Sequence, residues 1–232
     1  MFNISVIILG VITLVLLKIF LNINFKKLKQ LEIGSDEKLK NISDKLQNVK
    51  SEVICKDILN KLECSNVEIC IKPECSACLY TVFDNKITIG EFKEQYMKLQ
   101  TIAHECIHAS QNKVTLWANF IFTNIYLLFW VVICILSILN KLPNTGIFTI
   151  ILVFTSLIQY IIRSSLENEA MIKAKYIAKE YIEENKLLNK EQEELLLKEY
   201  DRVNNLGIPF INYYQISMDI VKVIIFSFIC II

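Results

Sequence analysis

Histidine is scarce in this sequence, with two among 232 residues, and charged residues are sparse as well. They make up 21% of the chain, while apolar residues make up 53% and the mean hydropathy is positive. This composition excludes a disordered chain, a collagen-like chain and an ordinary soluble domain. The formal net charge is +1 and no basic face is apparent, so we expect no nucleic-acid partner.

The apolar residues concentrate in four stretches that we expect to be membrane helices. About 20 apolar residues are needed to cross the hydrocarbon core of a bilayer. Residues 3–21 and 116–139 reach that length, and the shorter stretch 147–162 follows after a turn. The last stretch is the weakest, because Asp219 and Lys222 interrupt its first turns, and it could instead lie partly on the membrane surface.

Basic residues in the short flanks predict the orientation, because lysine and arginine favour the cytoplasmic side. Three lysines, at positions 26, 27 and 29, follow the first span directly, and Arg163 follows the third. We therefore expect both termini outside the cell and the polar regions in the cytoplasm. The first span lacks a basic leader and a small-residue cleavage site, which favours an anchor over a signal peptide.

The expected fold is mainly α-helical and integral to the membrane, with about four transmembrane helices and a small α+β cytoplasmic part. The expected divisions are an N-terminal anchor (1–21), a cytoplasmic part with the histidine helix (22–115), a transmembrane hairpin (116–162), a cytoplasmic helical part (163–215) and a C-terminal membrane segment (216–232).

The first polar region has the pattern of this α+β part. Apolar residues recur at helical spacing over 39–62, which predicts a helix facing a core. Three runs of strand character follow at 67–72, 79–83 and 86–89, and they predict a short antiparallel hairpin or sheet. Helical periodicity then returns and continues into the two histidines.

The second polar region begins with a long amphipathic helix, and a further helix is expected at about 191–206. Gly207 and Pro209 are expected to break the chain before the last apolar stretch.

The two histidines lie four residues apart in the sequence HECIH, residues 104–108. Residues at i and i+4 share one face of a helix, so His104 and His108 can bind one Zn²⁺ together. Glu105 can then act as general base toward a water activated at the metal. The alternative is a pair of core histidines that happen to lie one helical turn apart.

The absence of a third histidine excludes metalloproteases with three histidine ligands, so the third ligand must be a carboxylate or a cysteine. Two predicted spans separate His108 from Glu167, which returns the chain to the same membrane face. Glu167 and Glu169 cannot both face one ion from the same helix. We favour Glu167, because the small Ala170 lies one turn later on its face and allows close approach to the histidine helix. Glu169 is the alternative ligand.

Four cysteines form a second, weaker metal pattern: Cys64, Cys70, Cys75 and Cys78. They could hold a structural zinc, but their spacing does not repeat the paired C-x-x-C arrangement of zinc knuckles. We therefore favour free thiols, kept reduced in the cytoplasm.

These features together resemble a known family. An anchor, a helix and hairpin, HECIH, a transmembrane hairpin and then Glu-x-x-Ala resemble the YugP-type neutral zinc metallopeptidases of bacterial membranes. More distantly, they are similar to the membrane gluzincins that include the CAAX prenyl-protein and heat-shock membrane proteases. HECIH matches the family's HExxH, which implies His104 and His108 as zinc ligands and Glu105 as the base. LENEA matches Glu-x-x-Ala, which implies Glu167 as the third ligand.

The chain departs from the distant relatives directly after that alanine, where Met171 replaces their aspartate. The support that such an aspartate gives to a metal ligand is therefore missing or supplied by another residue. No histidine remains to stabilise an oxyanion, so a tyrosine or one of the cations Arg163, Lys173 and Arg202 would have to do so.

The expected function is that of a multi-pass membrane zinc endopeptidase with one catalytic Zn²⁺ that opens at the cytoplasmic face. Its expected substrates are membrane-associated proteins or peptides, which could pair along the edge of the hairpin. The alternative is a catalytically silent zincin-fold membrane scaffold or interaction protein, which Met171 favours and the intact Glu105 opposes. A metal sensor is a third alternative, although three protein ligands leave an open position that suits catalysis better.

Overall fold

The computed structural model describes residues 1–32, 37–75, 77–92 and 94–231, and it is mainly helical. The helices are α1 (Phe2–Phe20), α2 (Phe25–Glu32), α3 (Glu37–Gln47), α4 (Ser51–Lys61), α5 (Lys98–Ser110), α6 (Lys113–Ile138), α7 (Thr145–Asn185) and α8 (Lys190–Ile229). The strands are β1 (Glu68–Ile71), β2 (Leu79–Thr81) and β3 (Lys86–Ile89), and a 3₁₀ turn (Gln95–Met97) precedes α5.

The chain forms two compact units. The first, here called the membrane unit, comprises Met1–Asn24, Trp117–Ser165 and Ile208–Ile232. The second, here called the polar unit, comprises Phe25–Leu116 and Leu166–Gly207. Helices α6, α7 and α8 each contribute residues to both units.

Three helices of the described chain, α1, α6 and α7, are long and apolar enough to cross a membrane. The prediction of a mainly helical chain with several helices able to cross a membrane is thereby confirmed. The last apolar stretch is not among these three candidates, and it forms the end of α8, with Ile232 outside the described residues. Buried side chains from α6, α7 and α8 form the core of the membrane unit: Tyr126, Ile133, Cys134, Leu152, Val223 and Phe226.

The predicted break at Gly207 and Pro209 is wrong, because both residues lie inside α8. Proline removes one helical hydrogen bond, but tertiary contacts hold this helix in place. The Tyr200 hydroxyl, for example, donates to the Tyr96 carbonyl at 2.7 Å. A Cβ on Gly207 would lie 3.0 Å from Met171 Cε, so this glycine allows close helix packing rather than a turn.

The three strands form a mixed sheet in the order β1-β3-β2. β2 and β3 pair antiparallel, as predicted for the hairpin, with Tyr80 opposite Ile87. β1 instead pairs parallel to β3, with Ile69 opposite Ile87, so the sheet is not antiparallel throughout. β2 is therefore an edge strand.

The helical pattern over residues 39–62 is divided between α3 and α4. The break is stabilised by Lys98, which is 2% exposed and donates from Nζ to the carbonyls of Leu46 and Val49 at 2.5 and 2.8 Å. A lysine at the end of a helix satisfies carbonyls that have no helical partner. Lys98 begins α5, so this contact ties the histidine helix to the end of α3.

Helix α5 packs against α4 and against β2 and β3. Its buried apolar residues are Leu99, Ile102, Ala103, Cys106, Ile107 and Ala109. The apolar residues within and around HECIH are therefore buried.

Candidate metal centre

The two histidines lie one turn apart on α5, and their Nε2 atoms are 3.0 Å apart. The imidazole rings meet edge to face, with centroids 4.6 Å apart and an interplanar angle of 87°. The helix thus presents two potential ligand nitrogens to one point, as the i, i+4 spacing predicts.

Glu167 of α7 supplies the third potential ligand. Its Oε2 lies 3.5 Å from His104 Nε2 and 3.7 Å from His108 Nε2. The side chains of Glu167, His104 and His108 are 24%, 19% and 14% exposed, so the group is shielded yet reachable. Within the described residues, it is the only set of three or more histidine, cysteine, aspartate and glutamate ligand atoms that lie within 4.8 Å of one another.

The spacing of these three atoms fits a metal ion. A tetrahedral ion with bonds of about 2.0–2.1 Å to nitrogen and oxygen has ligand atoms about 3.3–3.4 Å apart. The three observed separations, 3.0, 3.5 and 3.7 Å, bracket that value. Residues His104, His108 and Glu167 can therefore hold one metal ion and leave a further coordination position open.

Glu169, the alternative third ligand, is engaged elsewhere. One of its oxygens pairs with Lys173 Nζ at 2.5 Å, and the other accepts a hydrogen bond from Gln111 Nε2 at 2.9 Å. The structure therefore separates the two glutamates as the helix geometry predicts, with Glu167 beside the histidines.

Gln111 is a supporting residue that the sequence reasoning missed. It directly follows α5, is 6% exposed, and its Oε1 lies 2.8 Å from His108 Nδ1. Its Nε2 donates to the Leu166 carbonyl at 2.8 Å and to Glu169. Gln111 thus links the end of the histidine helix to the helix that carries Glu167. Its position three residues after His108 is the signal that could have indicated this role.

These contacts determine which histidine nitrogen is available. Both partners of Gln111 Nε2 are acceptors, so the amide must present its oxygen to His108. His108 Nδ1 then carries the proton and donates it, which leaves a lone pair on Nε2, the atom that faces Glu167. A hydrogen bond of this kind fixes the tautomer and raises the basicity of a metal-ligating imidazole.

Glu105 lies on the buried side of the same helix. It is 6% exposed, and its Oε2 accepts a hydrogen bond of 2.6 Å from the backbone N–H of Tyr80 in edge strand β2. The carboxylate is therefore tied to the sheet by a backbone hydrogen bond. This backbone contact is the second feature that the sequence did not reveal.

The pKa values of Glu105 and Glu167 shift in opposite directions. Burial raises the pKa of Glu105 above its ordinary value, although the neighbouring histidines oppose this shift. Burial also works against ionised Glu167, but in the metal-free protein its contacts with His104 and His108, when these rings are protonated on both nitrogens, outweigh burial and hold its pKa well below the ordinary range. Burial would lower the pKa of His108, and contacts with Glu167 and Gln111 reverse this and raise it. Glu167 is therefore poised as an anion and Glu105 as a proton acceptor.

The four clustered cysteines do not meet as a ligand group within the described chain, and all eight cysteines are free thiols there. Cys106 lies between the ligand histidines in sequence, but its Sγ packs 3.7 Å from that of buried Cys55. Two of the expected oxyanion cations are paired elsewhere, Lys173 with Glu169 and Arg202 with Glu199, while Arg163 belongs to the membrane unit.

No family model, no curated protein and no solved structure matches this chain. The geometry of the centre formed by His104, His108 and Glu167 is therefore the basis for assigning a function.

Proposed function

We propose that this protein is a membrane zinc endopeptidase of the YugP type, with Zn²⁺ held by His104, His108 and Glu167. The observation that carries the proposal is the meeting of three ligand atoms at tetrahedral spacing beside the buried carboxylate of Glu105. Two imidazoles, one carboxylate and an open position are the donor set of catalytic rather than structural zinc sites.

The chemistry of peptide hydrolysis is divided between the ion and Glu105. Zinc, when bound, acts as a Lewis acid and lowers the pKa of water. The Glu105 carboxylate accepts a proton from the attacking water and delivers it to the leaving nitrogen of the scissile peptide. Its raised pKa favours this exchange, because a general base works best when its pKa lies close to the operating pH.

Gln111 supports this proposal over a silent scaffold. Met171 replaces the aspartate of the distant relatives, and that substitution was the feature in favour of the scaffold. Gln111 Oε1 accepts from His108 Nδ1 at 2.8 Å, so another residue supplies the expected orientation of a ligand. A fold without catalysis has no need for a buried carboxylate such as Glu105, whose desolvation is costly.

The edge strand β2 supports an extended peptide as the substrate. β2 is the outer strand of the described sheet on the side opposite β1, and it carries Tyr80, whose backbone touches Glu105. Extended peptides add to such edges through main-chain hydrogen bonds, which gives affinity with limited sequence preference. Lys113 Nζ holds the Tyr80 hydroxyl at 2.9 Å and thereby helps to fix this strand.

The proposal also includes a fourth span and an orientation. Val223 and Phe226 of α8 belong to the apolar core that α6 and α7 form, which favours a transmembrane position for the end of α8. Asp219 and Lys222 pair at 2.8 Å, and pairing lessens the cost of placing charge in a membrane. The basic flanks favour a cytoplasmic position for the polar unit, and hence for the centre. Membrane-associated proteins and peptides follow as the substrate class.

A single substitution tests the assigned chemistry. The Glu105→Gln variant should retain one zinc per chain and lose hydrolysis of an unfolded general protein substrate by about a thousandfold or more, because the amide cannot accept the proton. Zinc content and peptide release would be measured on the same detergent-purified sample.

The matched control is Glu183→Gln, which changes an exposed carboxylate of α7 and should leave both quantities unchanged. Cleavage retained by Glu105→Gln would contradict the role of Glu105. Zinc retained without cleavage in the wild type would favour the scaffold.

A further inference from the structure

Two buried side-chain amides join three helices of the polar unit. Gln100 of α5 is 5% exposed, and its Nε2 donates to Oδ1 of Asn204 on α8 at 2.6 Å. Asn204 is 8% exposed, and its Nδ2 donates to the carbonyl of Met171 on α7 at 3.2 Å. These two contacts are here called the amide bridge. Neither amide belongs to the proposed zinc ligands or takes part in the proposed proton transfer.

The direction of both hydrogen bonds in the amide bridge is fixed. A main-chain carbonyl only accepts, so Asn204 must present its NH₂ group to Met171 and its oxygen to Gln100. Gln100 must then donate, which leaves its Oε1 buried and without a partner among the described residues. An unpartnered buried acceptor costs free energy, and two apolar side chains at these positions would avoid that cost. Stability alone therefore does not account for the two amides.

The amide bridge lies about one helical turn from the metal ligands on both helices that carry them. Gln100 precedes His104 by four residues on α5, and Met171 follows Glu167 by four residues on α7. Four residues of an α-helix correspond to a rise of about 6 Å. The amide bridge therefore connects α5 to α7 close to the point where their ligand atoms meet.

Gln111 makes the second connection between these helices, at the other end of the centre. It follows His108 by three residues, and its Nε2 donates to the carbonyl of Leu166, the residue before Glu167. The three ligands thus lie between Gln111 and the amide bridge. One connection would let α7 pivot relative to α5, whereas two connections restrict both the distance and the angle between the helices.

Helix α8 holds Asn204 firmly in place. Tyr200, one turn earlier on α8, is fully buried, and its hydroxyl donates to the Tyr96 carbonyl just before α5 at 2.7 Å. On the other side, a Cβ on Gly207 would lie 3.0 Å from Met171 Cε, so α8 also packs closely against α7. Asn204 is therefore part of a rigid connection.

We propose that Gln100 and Asn204 are positioning residues, which hold α7 where Glu167 reaches both histidines. The inference rests on the proposed function, because it takes the zinc ion to be held by His104, His108 and Glu167. Metal–ligand distances must stay within about 0.2 Å of their preferred values, so a small displacement of α7 weakens the site.

The double variant Gln100→Leu/Asn204→Leu tests this role, because it replaces both partners by apolar side chains of similar size and leaves no amide unpaired. We expect the thermal midpoint of the metal-free protein to stay within about 2 °C of the wild type. Zinc affinity, measured on the full chain in detergent by competition with a chelator, should fall about tenfold. The visible absorption of the Co²⁺-loaded protein should change as well, because it depends on the geometry of the ligands.

Tyr200→Phe is the matched control. It removes a buried hydrogen bond of α8 but keeps both contacts of the amide bridge. We expect its thermal midpoint to fall by about 2–4 °C, with zinc affinity and Co²⁺ absorption as in the wild type. The two variants should thus separate stability from metal binding in opposite ways.

Unchanged zinc affinity and Co²⁺ absorption in the double variant would overturn the positioning role. A thermal midpoint lower than that of Tyr200→Phe would also overturn it, because the two amides would then be structural. The zinc affinities decide the positioning role whether or not the wild type hydrolyses protein. A failure of the proposed peptidase is seen separately, as zinc binding without cleavage in the wild type.

Discussion

The polar unit and the membrane unit both bury carboxylates and glutamines, but they partner them differently. In the polar unit, Glu167 meets two imidazoles and Gln111 uses both its amide oxygen and its amide nitrogen. In the membrane unit, Asp219 meets a lysine, and Gln159 uses its nitrogen while its oxygen has no partner among the described residues. The side chains of the first arrangement could together hold a cation, whereas the second leaves a buried glutamine oxygen without a partner among the described residues.

The two units should also differ in how they tolerate an added methyl group. A Cβ on Gly90, directly after β3, would lie 2.3 Å from the Cys75 carbonyl oxygen. Because this oxygen belongs to the backbone, it cannot move away without a large cost in free energy. A Cβ on Gly10 of α1 would lie 2.9 Å from Ile224 Cγ1, a side-chain atom that can shift. We expect Gly90→Ala to lower the free energy of unfolding by about 3 kcal/mol or more and Gly10→Ala by about 1 kcal/mol or less.

Thermal unfolding of both variants in the same detergent measures this contrast. Similar losses in the two variants would contradict the view that the supporting sheet of the metal centre is the less adaptable region.

The two glutamines provide a second contrast, of intermediate size. Gln111→Leu should weaken zinc binding by about 10–100-fold, because His108 loses the hydrogen bond that fixes its tautomer. Gln159→Leu removes a buried amide of the membrane unit and should leave zinc affinity unchanged. Competition with a chromophoric chelator gives both constants, and an unchanged affinity in Gln111→Leu would remove the supporting role assigned to this residue.

The smallest expected effect is a pH dependence of the metal-free protein. A carboxyl with a lowered pKa stabilises the fold above its ordinary value of 4.5, and a histidine with a raised pKa stabilises it below its ordinary value of 6.5. The contacts between Glu167 and His108 therefore contribute most at mildly acidic pH, and the His108 contribution is lost as pH rises through its shifted pKa.

With a chelator present, the thermal midpoint of the wild type relative to Glu167→Gln should fall by about 2–4 °C from mildly acidic to mildly alkaline pH. A difference that is constant across this range would show that the two side chains do not pair in the metal-free state.

Much of the centre could be predicted from local sequence. HECIH on one helix requires only helical periodicity, and helix geometry predicts that Glu167 and Glu169 cannot both face one ion. The small Ala170 on the face of Glu167 then favours Glu167, with Glu169 as the alternative. Gln111 could not be assigned, because its role depends on where the Leu166 carbonyl lies, 55 residues later. The N–H of Tyr80 likewise reaches Glu105 only through the tertiary packing of β2 on α5.

The fold shows the same division between local and non-local information. The hairpin of β2 and β3 was predicted from its alternation and turn, but the parallel pairing of β1 with β3 spans the intervening strand and leaves no local pattern. Pro209 predicts a break because proline is unfavourable inside a helix, but the packing of α8 outweighs this low helix propensity. Sequence therefore predicts where helices and strands lie better than it predicts their partners.

Zinc per chain in three detergent-purified proteins, the wild type, Glu167→Ala and Glu169→Ala, tests the proposed centre most directly. Because Glu167 Oε2 lies within 3.7 Å of both histidine nitrogens while Glu169 pairs with Lys173, we expect close to one zinc in the wild type and in Glu169→Ala. Glu167→Ala should lose most of it. Zinc retained by Glu167→Ala, or none in the wild type after reconstitution, would contradict the assigned metal centre.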